Sequence, residues 1–337
     1  MLRLFFLLIL TCTCFLNTVW ADDVIVLKAN KADQVWRIDA PTVKNKNAVS
    51  LGKTLFFDPR LLGQDNQSCA TCHYPGFSWS KGRSFQQKVP VQWLSRQVPS
   101  LLNVYAYQHF FWDGRVDAPL QAAISAHLKG LVARGMQYRS QAFEWTYKKM
   151  FMQAFGENDI SPIQISYALA AYVRTIHSKD TLFDRWLAGD KKSMSAPAVA
   201  GFRLFKGKAG CVRCHSPPYF TDSAIHNIGM ESLDPGYYDI SKRKQHYNAF
   251  RTPMLRQVPR TSPYMHNGSF ASLRDVILFY NKGGDLKGGG NDLVPLNLSP
   301  IEQDQLLAFL NALQGEETQA TIPALPMRSN YLLHVPK

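Results

Sequence analysis

The chain has almost no cysteine to spare for structure. It holds six. Two of them, Cys12 and Cys14, sit in the apolar run Leu4 to Leu16 near the N-terminus. The other four fall in two short runs, Cys69-Ala70-Thr71-Cys72-His73 and Cys211-Val212-Arg213-Cys214-His215. No disulfide forms without sacrificing one of these runs, so an apolar core and whatever the four thiols hold must support the fold. A second long apolar stretch is also missing. Trp93 to Trp112 is aromatic but broken by Arg96, Gln97, Pro99 and His109, which excludes a membrane span there. Sustained two-residue alternation is absent, which argues against an extended sheet. The cluster Gly283-Gly284 and Gly288-Gly289-Gly290 has no strand before it and no Lys-Ser/Thr after it, which excludes a phosphate loop.

Positive charge is not lacking. Lys and Arg number 38 against 25 Asp and Glu, a net of +13. Met1-Leu2-Arg3, the apolar run and Val19-Trp20-Ala21 read as a secretory signal peptide over 1–21, cut after Ala21. Its apolar part is shorter than the roughly 20 residues a membrane anchor needs. Its removal takes away Arg3 alone and leaves +12. No Arg-rich helix and no Lys run interleaved with aromatics is present, and an exported protein meets no nucleic acid. The basic surface therefore suits an acidic redox partner or ordinary solubility.

The two cysteine runs share the pattern Cys-x-x-Cys-His. Three residues make about one helical turn, so both sulfurs fall on one side of it. Two thiols that attach to haem vinyl groups, followed by a His that binds the iron, are the mark of a c-type haem. One such run could be a zinc half-site or a redox pair. Two of them, using every cysteine outside the leader, point to two covalently bound haems c, with attachment at Cys69, Cys72, Cys211 and Cys214 and iron on His73 and His215.

The surroundings repeat as well. Leu51 to Phe57 precedes the first run and Gly201 to Lys208 the second, each a helix with a Leu-Phe pair. The expected fold is mainly α: two cytochrome c-like haem domains, 22–190 and 191–337, with long irregular loops. Ile163 to Leu187 shows helical spacing that ends near Gly189, and Ala188 to Pro197 is the expected linker. Ser299-Pro300-Ile301-Glu302 is a capping box ahead of a buried face of Leu306, Leu307, Phe309, Leu310 and Leu313.

From Leu51 to Leu313 the chain resembles the bacterial di-haem cytochrome c peroxidase family, which includes the MauG-type enzymes. The matching segments are Leu51-Gly52-Lys53-x-Leu55-Phe56-Phe57-Asp58-Pro59-Arg60, Ser68 to His73, Phe111-Trp112-Asp113-Gly114-Arg115, Phe250-Arg251-Thr252-Pro253-x-Leu255-Arg256 and Pro263-Tyr264-Met265-His266-Asn267-Gly268-Ser269. The resemblance implies that hydrogen peroxide reacts at the first haem, on His73, and that the second, on His215, is six-coordinate. It also implies that Trp112 carries charge between them; the alternative for Trp112 is a core aromatic beside a turn.

The resemblance also assigns a sixth ligand to the second haem. Peroxidases of the family carry Met on the helix after Ser269, where this chain has Tyr280, as MauG-type enzymes do. A hard phenolate favours high-valent iron, whereas a thioether favours the reduced state. The alternative is that Tyr280 packs in the core like Phe279 while Met254 or Met265 ligates. A calcium ion between the haems would take carbonyls of Thr261 and Pro263, with the Gln97 amide where the family has Asn.

The distal side of the first haem departs from the family. Gln121 is one residue off the expected spacing, and Gly135 precedes Met136 where a Glu is expected. Neither Asp117 nor Glu144 fills that place. His127 is either the distal base or a helix-surface His. The expected activity is a periplasmic, MauG-like oxidation of a partner protein. The alternatives are reduction of peroxide by electrons from a small cytochrome or cupredoxin, and a non-enzymatic electron carrier.

Overall fold

The computed structural model describes residues 35–36, 43–62, 67–81, 96–133, 141–156, 160–178, 180–285, 292–316 and 320–326. The leader, the Gly135-Met136 pair and Gly288 to Gly290 lie outside them. Among the described residues no helix is long and apolar enough to cross a membrane.

Helix α1 (Lys46–Phe57) starts where the Asn45 side chain accepts from Ala48 N. It precedes the one-turn helix α2 (Cys69–Cys72). Three longer helices follow: α3 (Leu120–Val132), α4 (Gln141–Phe155) and α5 (Pro162–Val173). Then come α6 (Leu182–Ala188), α7 (Ala196–Lys206) and the short α8 (Tyr238–Ser241). The last two are α9 (Leu273–Lys282) and α10 (Pro300–Ala312), the latter opened by the expected capping box at Ser299. The fold is mainly α. Its described strands form two small antiparallel pairs: β1 (His109–Phe110) with β2 (Val116–Asp117), and β3 (Ile225–Asn227) with β4 (Ala249–Arg251).

Buried apolar residues separate into two cores. The first runs from Ala48 to Ile176; the second takes Trp36 and then Phe183 to Leu313. The core of each lobe is built on one close helix crossing. Gly52 of α1 meets α5 so tightly that a Cβ would overlap the Ala168 carbonyl oxygen and stand 3.0 Å from Tyr172 Cβ. Gly201 of α7 meets α10 in the same way, against the Gln305 carbonyl and 2.9 Å from Phe309 Cβ. An aromatic triplet seals each crossing. Phe56, Trp79 and Tyr172 lie with centroids 5.4 to 6.2 Å apart. Phe205, Phe220 and Phe309 lie 5.1 to 6.1 Å apart. The repeat expected from the Leu-Phe pairs is thus a repeat of packing.

Two organisational expectations need correction. The periodic stretch Ile163 to Leu187 is two helices, α5 and α6, because Thr181 and Asp184 form a fresh capping box and start α6 anew. The segment between is fixed by Asn103, whose side chain donates to Ser178 Oγ (2.9 Å) and accepts from Ser178 N (3.1 Å). The cores change over between Ile176 and Phe183, ahead of the linker expected at 188–197. That stretch is a turn inside the second lobe: left-handed Gly189 closes α6, Met194 is buried and Ser195 caps α7.

The lobes join at the turn between β1 and β2. Arg251 N of β4 donates to Trp112 O (2.8 Å), and Arg251 Nε donates to Phe111 O (3.1 Å). Gln108 N donates to Ser223 Oγ (2.9 Å), and Met254 N to Tyr107 Oη (2.9 Å).

Candidate haem centres

Each Cys-x-x-Cys-His run folds as one tight turn. His73 N donates to Cys69 O (2.9 Å) and His215 N to Cys211 O (2.8 Å). No disulfide joins the four cysteines. Burial pushes the Cys69 and Cys211 thiols up to about 12.

The imidazoles are held alike. His73 Nδ1 lies 3.2 Å from Trp79 O, and His215 Nδ1 lies 3.0 Å from Phe220 O. A carbonyl can only accept, so Nδ1 carries the proton and the Nε2 lone pair is left for a metal. Burial drives His73 down to about 4 and lowers His215 too, so both rings are neutral, as ligation requires. Both carbonyls come from residues with positive φ, Trp79 at 60° and Phe220 at 59°. The strained backbone aims each carbonyl at its ring. The sequence hinted at this only through an aromatic residue shortly after each His.

Tyr280 lies on α9, whose Leu273, Ile277 and Phe279 face the core. Phe279 is 2% exposed and Tyr280 half-buried, their rings meeting edge to face at 5.5 Å. Burial first, then the neighbouring Cys211 and Cys214 thiols, pushes its phenol up. Its side chain therefore shares surroundings with the second haem turn as well as with Phe279.

Trp112 is buried, and its indole N–H donates to Gln97 O (2.6 Å). Gln97 N donates in turn to His266 O (2.7 Å), and Gln97 Nε2 to Lys81 O (3.0 Å). Gln97 Oε1 is buried without a donor. Gln97 and Pro263 approach each other at Gly268, and Thr261 ends the helical turn Val258–Arg260 nearby in sequence. Arg96, which the sequence did not single out, donates to Asp113 beside Trp112 and, through Nε at 2.6 Å, to Asp234 in the second lobe.

Gln121 and His127 are both on α3 but roughly 120° apart around it. The Gln121 amide oxygen accepts from Arg174 Nη2 at 3.2 Å. His127 lies 6.2 Å, centroid to centroid, from Phe111 in the Trp112 turn. The structure does not bring the two together.

Neutral imidazoles with Nε2 available, paired thiols on each turn and a tryptophan held where the lobes meet define a two-lobed carrier of two haems c. The donor set fits that cofactor at both centres. Residues 46–192 match the family described as di-haem cytochrome c peroxidase. The cytochrome-c peroxidase IdrP2 of Denitromonas iodatirespirans is 35% identical over 319 residues, covering 84% of this chain and 85% of that one. The methylamine utilization protein MauG of Methylophilus methylotrophus is 37% identical over 286 residues, covering 82% and 85%. A solved MauG-like protein associated with microbial copper homeostasis has TM-score 0.70 at 26% identity, covering 83% of this chain and 92% of that one. The chain belongs to the di-haem cytochrome c peroxidase family that includes MauG. It is a di-haem oxidoreductase acting on peroxide, with two covalently bound haems c.

Proposed function

We propose that this protein is a periplasmic oxidase of MauG type, which uses peroxide to oxidise an aromatic side chain of a partner protein. The haems, when bound, supply peroxide cleavage and storage of the oxidising equivalents. The chain's own residues set the direction. His73 and His215 hold the irons through Nε2. Trp112, its N–H fixed on Gln97 O, carries charge between the lobes. Tyr280 offers the second haem a hard oxygen ligand, and this residue beside the Cys211 and Cys214 thiols is the observation that carries the reading. His127 is the remaining candidate for moving a proton near the first haem. The unpartnered Gln97 Oε1, with the carbonyls of Thr261 and Pro263, is the proposed calcium site.

The test mixes the diferric protein with one equivalent of peroxide and no reductant. A near-infrared charge-resonance band supports the proposal. Turnover that depends entirely on reduced cytochrome c sinks it in favour of donor-driven peroxide reduction. That second reading has support of its own, since a relative named cytochrome-c peroxidase matches nearly as well as MauG. Tyr280→Phe should change the low-spin spectrum of the second haem; an unchanged spectrum removes Tyr280 as its ligand.

A further inference from the structure

Strands β3 and β4 are each three residues long, yet the chain between them runs from residue 228 to 248. This excursion is firmly mounted. Tyr237 N donates to Ala249 O (2.8 Å) and Asn248 N to Pro235 O (3.1 Å). Asn227 Nδ2 donates to Tyr247 O (2.9 Å). Asp234, 2% exposed at its base, takes both Arg96 Nε (2.6 Å) and Nη2 (2.8 Å), and the same guanidinium reaches Asp113 beside Trp112. A rigid connection therefore runs from the excursion to the residue between the haem centres.

Its outer side combines exposed apolar residues, a tyrosine pair and a run of cations. Leu233 is 81% exposed, and Ile240 and Tyr247 are nearly half exposed. The Tyr238 and Tyr247 rings meet at 5.8 Å. Lys242, Arg243 and Lys244 are exposed in succession beside them, and of these Lys242 shares an open 3.7 Å pair with Asp239. Apolar and tyrosine area flanked by cations is the make-up of a protein interface, with Tyr and Arg as its usual anchors. A preorganised surface also spends little on ordering when it binds.

We infer that the outer side of 228–248 is the docking surface for an acidic protein. The partner sets carboxylates against Lys242, Arg243 and Lys244 and an apolar patch against Ile240 and Tyr247. The charge argues for it: the chain carries +13, and an acidic partner is both steered and oriented by the cluster. A lipid surface would use the cations, but its anionic headgroups would be repelled by exposed Glu231 and Asp239 beside them, which a protein partner can accommodate with its own polar groups. The inference rests on the proposed exchange of electrons with a partner protein and holds for either direction of flow.

The test uses the haem-loaded protein and an acidic cupredoxin as probe, with affinity measured across a salt series. Lys242→Glu/Arg243→Glu/Lys244→Glu should weaken binding at low salt by about tenfold or more and flatten the salt dependence. The control Lys44→Glu/Lys46→Glu/Lys192→Glu makes the same charge change elsewhere and should stay within about twofold. Ile240→Ser/Tyr247→Ser should weaken binding about fivefold while keeping the salt slope. Haem spectra verify folding of each variant. No binding by the wild type, or equal loss in the control, overturns the inference. So does binding to phosphatidylglycerol vesicles that the triple change abolishes while cupredoxin binding persists. The peroxide experiment without donor is read separately, so a failed oxidase reading and a failed docking surface give different results.

Discussion

The first and second lobes are built on one plan and differ in the helices added to it. In both, a glycine lets two helices touch, three aromatic rings close the crossing, and a positive-φ aromatic residue turns its carbonyl onto the ligating His. The second lobe adds α9, which sets Tyr280 beside the thiols. The first adds α3, whose Gln121 is engaged by Arg174 and whose His127 leans toward Phe111. The shared cradle makes a haem site. The lobes differ in the helices added to that cradle, α3 in the first and α9 in the second.

The parallel can be broken most directly at the crossings. Gly52→Val and Gly201→Val should each cost about 3 kcal/mol or more, because the new side chain meets backbone rather than a movable group. Denaturant midpoints measure this; one tolerated substitution would show that the crossings are not equivalent. Next comes the tie between lobes. Arg96→Gln leaves nearly buried Asp234 without its cation, while Asp113 keeps Arg115 (2.8 Å), and should cost about 2 kcal/mol in equilibrium unfolding. No loss would mean that the lobes cohere without it.

His266 sharpens the second lobe's side of that junction through pH. It stacks on Phe250 at 3.8 Å, and burial, opposed by Asp234, lowers it to about 4. Below about pH 6.5 the unfolded chain takes up a proton there that the folded chain refuses. Stability from this group is therefore complete above about pH 6.5 and falls toward pH 4, by about 3 kcal/mol. His266→Gln should flatten that part of the stability profile; an unchanged slope would remove His266 as its cause. The smallest effect belongs to the first lobe alone. There Tyr147 donates to buried Asp58, which Arg60 also grips (2.6 Å), with no matching group after Phe205. Tyr147→Phe should cost about 1 kcal/mol by thermal unfolding and spare the second haem's spectrum.

What could be read beforehand was what the chain writes locally. The two Cys-x-x-Cys-His runs, the paired Leu-Phe helices and the Ser299 box each lie within a few residues, and the structure contains all three as expected. The break between α5 and α6 was legible too, in Thr181-x-x-Asp184, but the apolar period continues across it and masks it. Arg96 with Asp234 was not legible, since 138 residues separate them. Nor was the Trp79 or Phe220 carbonyl, because a backbone acceptor leaves no trace in residue type.

The hydrogen bond from Arg251 N to Trp112 O has a consequence for biosynthesis. Trp112 is translated with the first lobe, but its peptide is satisfied by a strand made much later. A nascent first lobe emerging alone therefore exposes this turn until β4 arrives. The turn that carries Trp112 thus gains this backbone partner only from the last third of the chain, although its indole is already held by Gln97.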